Sequence, residues 1–241
     1  MTRHLYVAVP THSGLIEPAT VAAINRSLPL VRDKGWRFNF LRWAGDGLIA
    51  NARNAIVARF LASAATDLLF IDADVAWEGD ELIRLAEHPV DCVAGIYRYK
   101  KEPESYPLVL LDDGTDPRNA ATGLLRVALV PAGFLKLSRA SLERMTTYYA
   151  DRRYQRTATE EAFCLFDCGL KEGHYWGEDY FFCRRWRDIG GDIWTDPSLT
   201  LHHWGFIDTE KPELGRRAYS GCLGDWLKTK PAVKIEHLEA A

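Results

Sequence analysis

The chain has 241 residues, 47% of them hydrophobic, and a formal net charge of -3. That supplies a sizeable core for one large domain or two small ones, and the slightly acidic balance gives no overall reason to bind a polyanion, so nucleic acid is not the first partner to expect. No stretch approaches the ~20 uninterrupted apolar residues of a membrane span, and the start Met1-Thr-Arg-His-Leu has no signal-peptide core, so a soluble cytoplasmic protein is expected.

In chain order, residues 5–10 read as a buried strand that stops at Pro10, and Thr11-His12-Ser13-Gly14 as the loop beyond it. A helix is predicted over about 18–32, a strand over 37–41, and a second helix over 49–61, where Ile49, Ala52, Ile56, Phe60 and Leu61 fall at the spacing of a helix packed on a sheet. Then comes Asp67-Leu-Leu-Phe-Ile-Asp72-Ala73-Asp74-Val75, an apolar run ending in two carboxylates one residue apart. Strand, helix, strand, helix, strand at this density implies parallel pairing with right-handed crossovers.

The second half reads as mixed α/β. It has a short helix near 79–87, strands at 91–96, 106–111 and 124–130, and a helix capped by Ser138 running to about Tyr149. Residues 150–176 show no sustained period, as expected of a functional loop. A helix over 178–189 places Phe182, Trp186 and Ile189 on one face, and strands follow near Gly191 and at 199–202. The chain after Gly205 has no clear pattern, and the final Glu-Ala-Ala reads as a frayed end. The five cysteines (Cys92, Cys164, Cys168, Cys183, Cys222) are odd in number and scattered, which favours free thiols over disulfides or zinc.

Three polar clusters stand at the ends of predicted elements: Asp72 and Asp74, then Gly177-Glu178-Asp179, then His202-His203. Strand side chains alternate, so Asp72 and Asp74 would project to one side and converge on a hard cation, or on a cation and a ribose hydroxyl. Ligands of open α/β sheets sit beyond the carboxyl ends of the strands, which suits a metal-bound nucleotide diphosphate here. Singly, each cluster also has a plain explanation: a solvated strand end, first-turn acids complementing a helix dipole, or a structural histidine. His202 and His203 face opposite ways on a strand, so at most one shares a site with the acids.

In this order, the clusters resemble the signature of glycosyltransferases of the GT-A fold, and most closely a small bacterial and phage subgroup. The resemblance runs over about residues 5–205 and also takes in Ala52-Arg53-Asn54-Ala55, Ala94-Gly95-Ile96-Tyr97, Pro131-Ala132-Gly133-Phe134 and Leu201-His202-His203-Trp204-Gly205. It implies a single Rossmann-like α/β domain with a central mixed, mostly parallel sheet flanked by helices. Within it, residues 1–97 would be the nucleotide-sugar half, 98–205 the acceptor and metal-completing half, and 206–241 a C-terminal extension. It further implies that Asp72-Ala73-Asp74 at the end of the strand holds Mn2+ or Mg2+ on the donor diphosphate, with His203 as a nitrogen ligand favouring Mn2+. Pro10 and Thr11 match the base-binding loop, and Arg53 falls within reach of the nucleotide. Glu178 and Asp179 would be the acceptor-side acids, Asp179 serving as general base in an inverting enzyme or as an orienting carboxylate in a retaining one.

The activity so implied is transfer of a sugar from a UDP- or GDP-sugar to an acceptor hydroxyl, with a bacterial surface glycan as the first acceptor class. One alternative acceptor is a hydroxymethylated base in DNA, for which Arg139, Arg144, Arg152, Arg153 and Arg156 offer a local positive run. Another reading is a non-catalytic sugar-nucleotide or glycan-binding module, which would be expected to have lost one of the clusters. A nucleotidyltransferase fits less well, because the loop after the first strand lacks the glycines and lysine of a phosphate cradle. Lys100 and Lys101, after Tyr97-Arg98-Tyr99, could approach the phosphates, but a charge run of this kind is more often a solvated edge, and they are not counted among the site residues.

Overall fold

A computed structural model describes residues 2–111 and 114–229; the terminal Glu-Ala-Ala lies outside the described residues. The first half follows the expected order: β1 (His4–Thr11), α1 (Pro18–Asp33), β2 (Arg37–Ala44), α2 (Ile49–Leu61) and β3 (Asp67–Ile71). β1 pairs in parallel with both β2 and β3. β3 is buried along its whole length, which is why it reads as an unbroken apolar run instead of an alternating one.

After a two-residue β4 (Val75–Ala76) come α3 (Glu81–Glu87), β5 (Cys92–Ala94), β6 (Val109–Leu110), β7 (Leu125–Leu129), β8 (Phe134–Ser138) and α4 (Arg139–Tyr148). Ser138 caps α4 as expected, its hydroxyl accepting from Ser141 N at 3.0 Å. β8 was not among the expected strands, yet it fills the centre of the sheet, antiparallel to β3 on one side and β5 on the other. Its middle residue is the fully buried Lys136, which breaks the apolar pattern. The ammonium is satisfied by the His88 carbonyl at 2.6 Å and stands 3.9 Å from Asp67. Burial, only partly offset by Asp67, pulls its pKa down to about 8.

The patternless stretch resolves into two hairpins, β9 (Arg153–Gln155) with β10 (Glu161–Phe163), and β11 (Gly169–Lys171) with β12 (His174–Trp176). α5 (Glu178–Asp188) and β13 (Ile193–Thr195) follow, then β14 (Thr200–Phe206), β15 (Arg216–Cys222) and α6 (Leu223–Lys228). β14 is longer than expected, and β15, unanticipated, pairs with it along its whole length.

The main sheet runs β2-β1-β3-β8-β5-β13-β7-β6, and only β8 and β7 oppose the other strands. This is the mixed, mostly parallel α/β architecture that the GT-A resemblance implies. One face packs α1 and α3 through Ala23, Val31, Leu82 and Ile83 against Val7, Leu69 and Ile71. The other packs α2, α4 and α5 through Ile56, Phe60, Leu142, Phe182 and Trp186 against Leu68, Phe70 and Leu135. A second sheet, β15-β14-β4, crosses beyond the acid end of β3.

Two adjacent polar residues interrupt the buried face of α2. Asn54 donates to Phe166 O at 2.7 Å and accepts from Leu165 N and Phe166 N at 3.0 and 2.9 Å, pinning the chain between the two hairpins. Arg53 reaches the site described below. All five cysteines are free thiols, as expected. Removing one partner from a buried polar network leaves the others unsatisfied, so Asn54→Ala is expected to lower the unfolding free energy by about 2–4 kcal/mol in urea titration.

Candidate functional site

The acids arrive at one place by a route different from strand alternation. β3 ends at Ile71, and residues 72–75 form a turn closed by Val75 N donating to Asp72 O at 3.1 Å. Asp72 and Asp74 therefore share a turn, and both line a cleft of about 990 Å³ at the carboxyl end of the sheet. Pro10, Thr11, Ala73, Arg53, Tyr97, Glu178 and Asp179 line the same cleft. Of the residues expected from the sequence, only His203 is not on that wall; it stands just behind Asp74, with Nε2 3.6 Å from Asp74 Oδ1.

Arg53 holds the two acidic clusters together. Its side chain is almost wholly buried, and it donates to Asp72 Oδ1 at 2.9 Å, to Glu178 Oε1 at 3.2 Å and to the Ala132 carbonyl at 3.3 Å, with Phe70 beneath the guanidinium. Burial pulls its pKa down, but Asp72 and Glu178 outweigh that and hold the net shift upward. Arg53, expected as a nucleotide contact, lines the cleft, and Nε and both terminal nitrogens each donate to protein, so the side chain ties Asp72 to Glu178 and to the Ala132 carbonyl.

Tyr97 supplies the other half of that support. Its hydroxyl donates to Asp72 Oδ2 at 3.0 Å, and its ring packs edge-on to His203 with centroids 4.6 Å apart. Burial, with Asp72 alongside, pushes the phenol well up, which keeps it a donor. Both oxygens of Asp72 are thus taken by protein groups. Gly133 makes this packing possible: its carbonyl accepts from Asp72 N at 2.8 Å, and a Cβ there would overlap Asp72 Oδ2 and the Tyr97 hydroxyl.

His203 is set up as a nitrogen donor. The pairing of β14 with β4 places His203 opposite Val75, and Trp204 N donates to Asp74 O at 2.8 Å. His203 Nδ1 donates to the Arg98 carbonyl at 2.9 Å, which leaves the Nε2 lone pair facing Asp74. Burial first, then Lys100, lowers its pKa, so the imidazole is neutral at neutral pH. His202 points the other way, toward Ser220 Oγ at 2.7 Å.

Asp74 and His203 could hold a divalent ion such as Mn2+, and Asp72, expected beside them, has its two oxygens bonded by Arg53 and Tyr97. Among the described residues no three His, Cys, Asp or Glu side chains gather as a metal cage. Two protein donors are what an ion needs when substrate phosphate and water complete its shell.

Asp179, the second residue of α5, lines the same cleft. Its Oδ1 accepts from Tyr180 N at 2.8 Å, and burial, followed by the adjacent Glu178, raises its pKa to about 7. A second cleft of about 860 Å³, lined by Tyr154, Tyr175, Asp151, Asp167 and Cys168 among others, adjoins the first and shares Ile49 with it.

Tyr97 lies in the Ala94-Gly95-Ile96-Tyr97 stretch but has no role expected from the sequence; Lys100, expected at a solvated edge, pairs with Asp74. The basic run is spent piecemeal. Arg139 donates to the carbonyls of Phe60, Leu61, Ser63 and Ala65, and Arg144 to that of Ile189. Arg152, Arg153 and Arg156 pair with Asp167, Glu161 and Glu160.

No family model and no curated protein matches the chain. Solved structures similar to it include A197 from STIV, at 18% identity and a TM-score of 0.49 over 99% of this chain and 100% of that one. The catalytic domain of Drosophila beta1,4-galactosyltransferase 7 in complex with xylobiose gives 15% and 0.47 over 98% and 82%. GalNAc-T7 with UDP, GalNAc and Mn2+ gives 12% and 0.46 over 80% and 42%. At these identities and scores no role passes to this chain's residues, and the case rests on its own geometry.

Gly133→Ala is expected to leave the far-UV circular dichroism unchanged while displacing Asp72, seen as altered chemical shifts of Tyr97 and His203. Asp179 gives a pH signature. Its folded pKa lies above its unfolded value of 3.8, so the folded state binds the extra proton and stability falls as pH rises from about 4 to about 7. Asp179→Asn should therefore raise Tm relative to wild type at pH 8 and leave it nearly unchanged at pH 4.

Proposed function

We propose that the protein is a metal-dependent glycosyltransferase that moves a sugar from a nucleoside diphosphate sugar, a UDP- or GDP-sugar, to an acceptor hydroxyl, with a bacterial surface glycan as the acceptor class. The observation that supports it most is the single cleft in which the Asp72-Ala73-Asp74 turn faces Asp179, with Arg53 bridging Asp72 to Glu178. Paired acids at a sheet's carboxyl edge suit a cation and a diphosphate, and a carboxylate ionising near neutrality suits a general base.

In this reading the nucleoside lies along Pro10, Thr11 and the loop to Ile16, and the diphosphate crosses the turn at Ala73. A divalent ion bound by Asp74 and His203 supplies Lewis acidity to the departing diphosphate. Asp179 takes the acceptor's proton as the acceptor oxygen bonds to the anomeric carbon and the bond from that carbon to the phosphate oxygen breaks. Arg53 and Tyr97 keep Asp72 fixed as an acceptor at the donor side. The products are the glycosylated acceptor and a nucleoside diphosphate. Asp179's raised proton affinity favours this catalytic reading over a binding module, which has no use for a base tuned to neutral pH.

Nucleotide sugars screened by thermal shift with and without Mn2+ should yield a Mn2+-dependent rise in Tm for one nucleotide. Turnover should release nucleoside diphosphate, whereas release of pyrophosphate would overturn the reading in favour of nucleotidyl transfer. Asp179→Asn should retain donor binding and lower transfer by about 100- to 10,000-fold. The wild-type rate should climb with pH to a plateau through an apparent pKa near 7, the value to which Asp179 is raised.

A further inference from the structure

The chain that leaves β5 toward β6 carries a cation to the acid end of β3 that the reaction above does not use. Lys100 Nζ pairs with Asp74 Oδ2, each side chain being about one-third exposed. Its stem lies along the backbone of β14, where a Cβ on Gly205 would come within 2.5 Å of Lys100 Cδ, so the bare backbone at 205 forms the seat. The segment is anchored by Arg98. The Arg98 guanidinium donates to the Lys101 carbonyl at 2.8 Å and to Glu102 at 2.9 Å and lies over the Tyr219 ring, while the Arg98 carbonyl accepts from His203. The Lys101 ammonium, by contrast, overlies the Tyr99 ring. The Lys100 ammonium thus holds Oδ2 of the carboxylate whose Oδ1 faces His203, and a divalent ion placed between Asp74 and His203 would be repelled by an ammonium on the same carboxylate.

We propose that Lys100 is a donor-binding residue that alternates between two anions: Asp74 while the site lacks a metal ion, and the diphosphate of the nucleotide sugar once Asp74 has turned to the ion. The inference rests on the donor-site reading above. An ammonium released from Asp74 needs a new counter-charge, and the diphosphate lying over the same turn supplies one within reach of a flexible four-carbon stem. Metal and nucleotide then enter interdependently, because the ion must displace Lys100 and the nucleotide gives Lys100 somewhere to go.

The test uses the full chain and two probes, Mn2+ alone (free ion counted by electron paramagnetic resonance) and UDP or GDP titrated by calorimetry at saturating Mn2+. Lys100→Met keeps the stem on Gly205 and removes the charge. It should bind Mn2+ about fivefold to tenfold more tightly than wild type without nucleotide, and bind the nucleoside diphosphate about fivefold to tenfold more weakly with the ion present. A merely structural lysine would shift both affinities the same way, and that result overturns the proposal. Equal Mn2+ affinity in wild type and Lys100→Met, with binding still abolished by Asp74→Ala, overturns it too but leaves the metal site standing. Mn2+ binding that Asp74→Ala does not reduce overturns the metal-site reading and the proposal with it.

Discussion

The site depends on one buried guanidinium. Arg53 projects from the sheet-facing side of α2 into a place where an uncompensated charge would be prohibitive, and it is compensated from two directions by Asp72 and Glu178, residues that are 106 positions apart in the chain but share this one partner. A planar fork can satisfy both and the Ala132 carbonyl besides, which an ammonium could not do with the same fixed directions. Breaking such a pair from one side typically costs about 3–5 kcal/mol, because the remaining charge stays buried. The separation between the end of β3 and the start of α5 is therefore fixed by an ion-pair bridge, and the two acid-bearing sides of the cleft are built as one unit.

That bridge also sets the electrostatics. Five carboxylates, Glu17, Asp72, Asp74, Glu178 and Asp179, line the cleft with two permanent cations, Arg53 and Arg216; Lys100 adds a third at Asp74, and the lowered pKa of His203 leaves its ring uncharged at neutral pH. The surplus is negative, and it shows in Asp179, whose proton is held up to about pH 7 by burial and by Glu178. A site with surplus negative charge is poorly suited to a diphosphate until a divalent cation is added, and adding one brings the local charge close to balance. The demand for a metal in the proposed chemistry thus follows from the count of side chains around the cleft as well as from the donor atoms of Asp74 and His203.

The legible parts of the chain were those whose burial leaves a local trace. β1 and β3 are buried on both faces and read as apolar runs; α2 carries its helical period to both observed ends. β8 was hidden because Lys136 sits in its middle, stabilised by a carbonyl 48 residues away. The two hairpins of residues 153–176 have three-residue strands and owe their place to Asn54 and to the Arg185–Asp167 pair, neither of which leaves a period in the sequence. In the site, the residue types at Asp72, Asp74, Asp179 and His203 were legible, but the turn at 72–75 was not, since a dipeptide spacing looks alike in a strand and a turn. The pairing of Lys100 with Asp74 was not legible, because its seat depends on the missing side chain of Gly205, a tertiary fact.

The small sheet explains why His203, and not its neighbour, faces the acids. β4 has only two residues, so the register of β14 against it cannot be secured by β4 alone. β15 supplies the rest: seven consecutive pairs with β14, the Tyr219 hydroxyl donating to the Phe206 carbonyl at 2.9 Å, and Arg216 pairing with Glu17, whose own N donates to Ala73 O. A slip of one residue would turn His202 inward and carry His203 away, since strand side chains alternate. The chain beyond Gly205 is thus coupled to the side of the cleft that carries Asp74 and His203, and through Phe206 and Arg216 it lines that cleft as well. Residues with no pattern of their own in the sequence hold the histidine in register with the turn at Asp74.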